Sequence, residues 1–334
     1  MATTRIERYA YKIYGEPAGK NEPPKKLELC CYVPEACNDL NWPANPPILL
    51  HFQGNGFQKW LGWRECESYL RELSEKLDWI VIDVQLRTNQ QHRVSYPTAH
   101  DEALEAYKYV RKHAGKERRL PGNPNLIGLM GHSSGGHVAA SLALRLKQEN
   151  LPLPQFVVLY APSLDFSSNL PKYKYFGHTW DKSNKLLHLT GCDADDLKGL
   201  PPHLFMLAGL DAYDAPEEFK PGLTEHAFTY ANLLHKAGVR VTARYWRLRH
   251  HFFFHYAGFR TFHLEALYYW MYQAMRGIEP TTNAANVKLP HTYRPQPLWL
   301  LNFFNQWIVV ITRTLYIMTR LACCYCKPLL PEWM

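Results

Sequence analysis

Two hydrophobic rhythms alternate along this chain. Short, nearly continuous apolar runs occupy residues 27–33, 48–52, 79–84, 125–130, 156–160, 203–208 and 239–246. Runs of that length bounded by polar turns predict strands buried on both faces. Between them the apolar positions recur near a 3.6 period. Trp60, Trp63, Tyr69, Leu70, Leu73 and Leu77 predict a helix over 59–77. Further helices are expected from 96–102 to about 112, over 138–146, over 223–236 and over 257–276, with Gly238 placed as a C-terminal cap. Residues 6–14 mix aromatic and charged side chains and suggest an edge strand. The stretches 15–26, 34–47 and 87–95 are loops by composition.

This alternation predicts an α/β class: a mostly parallel central sheet with helices on both faces. Residues 162–200 break the rhythm, being rich in aromatics, Ser and Lys, and suggest a small cap insertion over the sheet edge. Together with residues 1–24 they would decorate a domain spanning 1–277. A Pro/Asn/Thr-rich linker is expected over 278–297, then a last amphipathic helix within 298–334. There Gln306, Arg313, Arg320 and Lys327 share one narrow stripe opposite a wide apolar surface. Arg313 interrupts the longest uncharged run, which makes a membrane span a poor fit. Peripheral contact with a membrane interface through 298–327, helped by acylation of Cys323, Cys324 or Cys326, is one expectation. Packing of that helix on the domain is the other.

Composition narrows the function classes. Of 334 residues 46% are hydrophobic, enough for a full core. The net charge of +8 is scattered, and no nucleic-acid motif accompanies it, so no nucleic-acid partner is expected. Eight cysteines lack paired zinc spacing and are too sparse for a disulfide framework. The segment Met1-Ala2-Thr3-Thr4-Arg5 opens no apolar signal-peptide core, so an intracellular, reducing setting is the expectation, on the cytoplasmic face of a membrane if the tail binds one.

The candidate chemistry gathers after strand ends, where open parallel sheets bind ligands. Gly131-His132-Ser133-Ser134-Gly135-Gly136 joins a strand to a helix. A sharp strand–turn–helix of the form G-x-S-x-G lifts the serine hydroxyl clear of the sheet. A serine needs a base, and the base needs an orienting carboxylate. Asp211 follows a strand directly, whereas Asp214 sits where it would cap a helix or face solvent. His250 and His251 both follow the last strand. The turn Gln53-Gly54-Asn55-Gly56-Phe57 could aim backbone amides at an oxyanion. With the amide of Ser134, the amides of Gly54 and Asn55 make up to three donors; an ordinary Gly-Asn-Gly turn is the plain alternative.

Taken in order, these segments resemble the hormone-sensitive-lipase-like branch of the α/β-hydrolases. That pattern runs HGGG(F/W), D-Y-R-L, P-A-x-x-x-D, G-D-S-A-G-G, A-G-x-D-x-L-x-D, then H-G-F. This chain has Phe52-Gln53-Gly54-Asn55-Gly56-Phe57, Asp83-Val84-Gln85-Leu86, Pro97-Thr98-Ala99-His100-Asp101, the Ser133 turn, Ala208-Gly209-Leu210-Asp211 and His250-His251-Phe252. The agreement covers roughly residues 25–276. The resemblance implies a serine hydrolase acting on an apolar carboxylic ester through an acyl-enzyme, with Ser133 as nucleophile, Asp211 as orienter and His250 as base. The H-G-F register selects His250 over His251. The resemblance implies oxyanion donation by the amides of Gly54, Asn55 and Ser134, and no metal or organic cofactor. Gln53, Asn55 and His132 depart from the pattern, which keeps in view non-hydrolytic chemistry or a lactone or thioester substrate. A non-catalytic binding module on the same scaffold is the alternative from another class.

Overall fold

The computed structural model describes residues 5–12, 26–34, 46–57, 64–115, 120–166, 183–212, 223–246, 249, 251, 267–268 and 270–275. The chain divides into two units, Met1–Val287 and Lys288–Met334. All the described residues belong to the first. The linker, the tail helix, Asp214 and His250 lie outside the described residues.

Eight strands form one sheet: β1 (Arg5–Lys12), β2 (Lys26–Val33), β3 (Ile48–Phe52), β4 (Ile80–Gln85), β5 (Ile127–His132), β6 (Val157–Tyr160), β7 (His203–Ala208) and β8 (Val241–Trp246). Their order is β1-β2-β4-β3-β5-β6-β7-β8. The first two strands pair antiparallel, as do β2 and β4; every later pairing is parallel. Parallel neighbours need crossovers, which the helices supply. These are α1 (Arg64–Leu77), α2 (Asn89–His92), α3 (Thr98–His113), α4 (Ser134–Gln148), α5 (Ala194–Leu197) and α6 (Leu223–Lys236).

Successive strand residues point to opposite faces, and both faces are covered. Ile48, Leu50 and Phe52 of β3 join a core with Ala103 and Tyr107 of α3, Val138 and Leu142 of α4 and Tyr230 of α6. Leu49, one residue out of phase, joins Leu70 and Leu73 of α1 and Trp270 and Met271 on the other side. The described part of the expected closing helix, 267–268 and 270–275, is helical. Among the described residues no helix is long and apolar enough to cross a membrane.

Helix α6 ends as its glycine predicts. Gly238 has φ +77°, its amide reaches His235 O at 3.0 Å, and Val239 N reaches Leu234 O at 2.9 Å. That pair of bonds is a Schellman cap, which satisfies two terminal carbonyls. The polar segment 87–95, expected to be all loop, contains the one-turn helix α2. The described ends of 162–200 are anchored rather than loose. Asp165 bridges to His188, and Asp193 and Asp196 form a reciprocal capping box on α5.

Candidate active site

Strand β5 carries the chain straight into the Ser133 turn. The sheet ladder continues one residue past β5, with Ser133 N donating to Tyr160 O at 2.9 Å. Ser133 itself has φ 54° and ψ −121°. A non-glycine residue held at such angles costs roughly 1–3 kcal/mol, which the surrounding packing must offset. That packing is close enough to forbid side chains. A Cβ on Gly131 would fall 2.1 Å from Gly135 O, and one on Gly135 would fall 2.0 Å from Phe52 O. The glycines let helix α4 start directly against β3 and β5. Ser133 remains partly exposed while Ser134 is buried.

The turn after β3 lies against this elbow. A Cβ on Gly54 would meet His132 O at 2.5 Å and Ser133 Cβ at 2.7 Å. The left-handed positions in the turn are Gly56 and Phe57, at φ 63° and 59°. Asn55 is not among them. Its role is made by its side chain, whose Oδ1 accepts the Phe57 amide at 2.8 Å. The Asn55 amide, expected as an oxyanion donor, points instead to Ser134 Oγ at 3.0 Å.

The carboxylate and the imidazole come from the last two strands. Ala208 and Trp246 are register partners at the ends of β7 and β8, so the loops leaving them start side by side. Asp211 lies in a short 3-10 turn, Gly209–Ala212. Its Oδ2 is 3.0 Å from His251 Nδ1. The sequence reading gave this partnership to His250; the structure gives it to His251. The reason is visible in the sequence, because His250-His251-Phe252 and His251-Phe252-Phe253 both satisfy an H-x-F pattern. Register alone could not separate them.

Three strand steps of roughly 4.8 Å separate β5 from β8, yet His251 reaches the residue that precedes Ser133. Two contacts hold it there. His132 Nε2 donates to His251 O at 3.2 Å, and the two rings stand 4.7 Å apart, centre to centre. The His132 ring also stacks on Tyr160 at 4.5 Å, its register partner on β6. His132 was noted in the sequence only as a departure from an acidic residue. In the fold it joins the Ser133 turn to His251. Finding it would have required knowing that β6 ends in an aromatic ring beneath it. Among the described residues no cluster of His, Cys, Asp and Glu is arranged to hold a metal.

Comparison with known proteins gives the same frame. A family model described as alpha/beta hydrolase fold matches residues 49–255, more than half of the chain. Esterase LipI of Mycobacterium tuberculosis is 26% identical over 246 residues, covering 68% of this chain and 71% of that protein. A solved structure from a study of two fungal esterases of Rhizomucor miehei superposes with a TM-score of 0.65 at 21% identity, covering 82% and 84% of the two chains. The structure of brefeldin A esterase, a bacterial homologue of human hormone sensitive lipase, superposes with a TM-score of 0.64 at 18% identity, covering 81% and 78%. Both structural matches are likenesses of fold.

Proposed function

The chain belongs to the alpha/beta hydrolase fold family, and from that premise we propose that it hydrolyses carboxylic esters with Ser133 as nucleophile, His251 as base and Asp211 as orienter. The observation that carries the reading is the Asp211–His251 pair, fixed at 3.0 Å on the loops beyond β7 and β8 and tied to the residue preceding Ser133. An Nδ1–H donated to the carboxylate puts the ring's lone pair on Nε2, the tautomer a general base requires. The likeness to an esterase at 26% identity supports the ester as substrate.

In this reading His251 Nε2 takes the Ser133 hydroxyl proton as Oγ attacks the ester carbonyl. The carbonyl oxygen becomes an oxyanion, and the backbone amides of Gly54 and Ser134 are the donors assigned to it. The alcohol leaves with the proton held by His251, and an acyl-enzyme remains on Ser133. A water then gives a proton to His251 and attacks the acyl carbon, and the acid leaves as His251 returns that proton to Ser133 Oγ. Asp211 stabilises the imidazolium formed in each half without itself being protonated.

The test is direct. A fluorophosphonate probe should label Ser133, and Ser133→Ala should lower p-nitrophenyl butyrate turnover by about 10⁴–10⁶, the scale of a broken triad. Labelling at a different serine, or turnover unchanged in the variant, refutes the assignment.

A further inference from the structure

The turn after β3 is fastened by a side chain from another element. Ser134 Oγ accepts the amides of Asn55 and Gly56 at 3.0 and 2.9 Å. Its hydroxyl faces Asn55 Oδ1 at 3.4 Å, and that oxygen accepts the Phe57 amide at 2.8 Å. Three consecutive amides therefore end on two side-chain oxygens. Ser134 is 2% exposed, so its hydroxyl is not there to meet water. A hydroxyl offers one proton and two lone pairs, and this one has a partner for each.

The two side chains that close this ring are departures from the pattern the chain resembles, which has Gly where Asn55 stands and Ala where Ser134 stands. They lie 79 residues apart, and each is the other's partner. A turn with glycine at positions 54 and 56 has much backbone freedom to lose, and an external fastening is one way to fix it. The fastening also withdraws a donor. An amide that points at Ser134 Oγ is not aimed at a substrate oxygen.

We propose that Ser134 is a positioning residue: its hydroxyl, completed by the Asn55 carboxamide, clamps the loop beside the nucleophile and leaves the oxyanion to the amides of Gly54 and Ser134. This rests on the ester-hydrolase reading above. The loop matters to the transition state more than to the ground state, because the oxyanion exists only after attack.

Ser134→Ala should therefore lower kcat on p-nitrophenyl butyrate by about 10- to 100-fold, less than outright loss of a donor, while KM changes by less than about threefold. Inhibition by benzeneboronic acid, which mimics the tetrahedral adduct, should weaken in step with kcat. Asn55→Ala removes the acceptor and should show a smaller loss with the same split. Reverting both side chains, in Asn55→Gly with Ser134→Ala, should cost less than the product of the separate losses, since both act on one clamp.

A Ser134→Ala protein with kcat within twofold of the parent overturns the proposal. So does a loss that falls on KM and spares boronic acid binding, or one that multiplies with the Asn55 change. If Ser134→Ala does not fold, Asn55→Ala is judged by the same criteria. A parent protein that neither hydrolyses the ester nor labels at Ser133 sinks the ester-hydrolase reading and this inference with it. An active parent indifferent to Ser134→Ala sinks this inference alone.

Discussion

Two of the carboxylate–imidazole pairs among the described residues stand in contrasting places. In one, His51 Nδ1 lies 2.6 Å from Asp83 Oδ1, and both side chains are 0% exposed. His51 and Asp83 are register partners on β3 and β4, so their side chains share one face of the sheet. Tyr69 of α1 closes the other side of that imidazole with a hydrogen bond to Nε2, and Gln85 donates to the second carboxylate oxygen. In the other, His251 and Asp211 are 20% and 8% exposed and lie just past strand ends. The inner pair has every imidazole nitrogen engaged and no route to a substrate. The outer pair is partly exposed, and in the proposed function its Nε2 is the base. Position relative to the strand ends, not the pairing itself, distinguishes the two imidazoles.

The sharpest way to break this comparison is to remove each imidazole's function in turn. His251→Ala should lower ester turnover by about 10⁴–10⁶ with the melting temperature little changed, whereas His250→Ala should keep most of the turnover. Steady-state kinetics beside differential scanning calorimetry reads both quantities. Equal losses from the two histidines would undo the assignment.

At the inner pair the expectation inverts. Asp83→Ala leaves a buried imidazole without its carboxylate, and breaking a buried pair from one side costs about 3–5 kcal/mol. Urea denaturation should show that loss, while kcat per folded molecule, counted by active-site titration, stays near the parent value.

A third kind of imidazole sharpens the contrast through pH. His137, packed against Phe57 and Phe166, and His203, packed near Phe205 and Tyr230, are held low by burial, His137 to about 3 and His203 to about 4. In the unfolded chain each would titrate near ~6.5. Below that pH the unfolded chain takes up protons that the folded chain refuses. The stabilisation these histidines give the neutral fold is therefore complete above ~6.5 and is lost as pH falls toward their folded values. Each such group contributes a slope of up to about 1.4 kcal/mol per pH unit. Replacing His137 by Phe should make the fall in denaturation midpoint between pH 6 and 4 shallower; an unchanged slope would show that His137 does not titrate on unfolding.

The framework was legible in the sequence because it is periodic. Buried strands and amphipathic helices announce themselves, and the edge strand, the Gly238 cap and the strand-end position of Ser133 and Asp211 came with them. Whatever depends on a single contact between distant segments was not legible. Nothing in His250-His251-Phe252-Phe253 says which ring turns toward Asp211. Nothing in Gly54-Asn55-Gly56 says that a hydroxyl 79 residues away will collect its amides. His51 and Asp83 looked like ordinary strand residues, since only the register of β3 on β4 makes them a pair. Helix α2 was missed for a different reason: four polar residues give no period to detect.

The strand order carries one more consequence. The proposed base, His251, follows β8, which ends the described sheet and whose last four residues are only partly buried or exposed. The proposed nucleophile, Ser133, follows β5, which has a neighbour on each side. Edge amides exchange with solvent through small local openings that leave the core intact. An opening that freed β8 would part His251 from His132, the residue before Ser133, while most of the sheet stayed native. The working lifetime of such a site is set by the outermost strand, so warming should extinguish turnover before ellipticity reports any loss of structure.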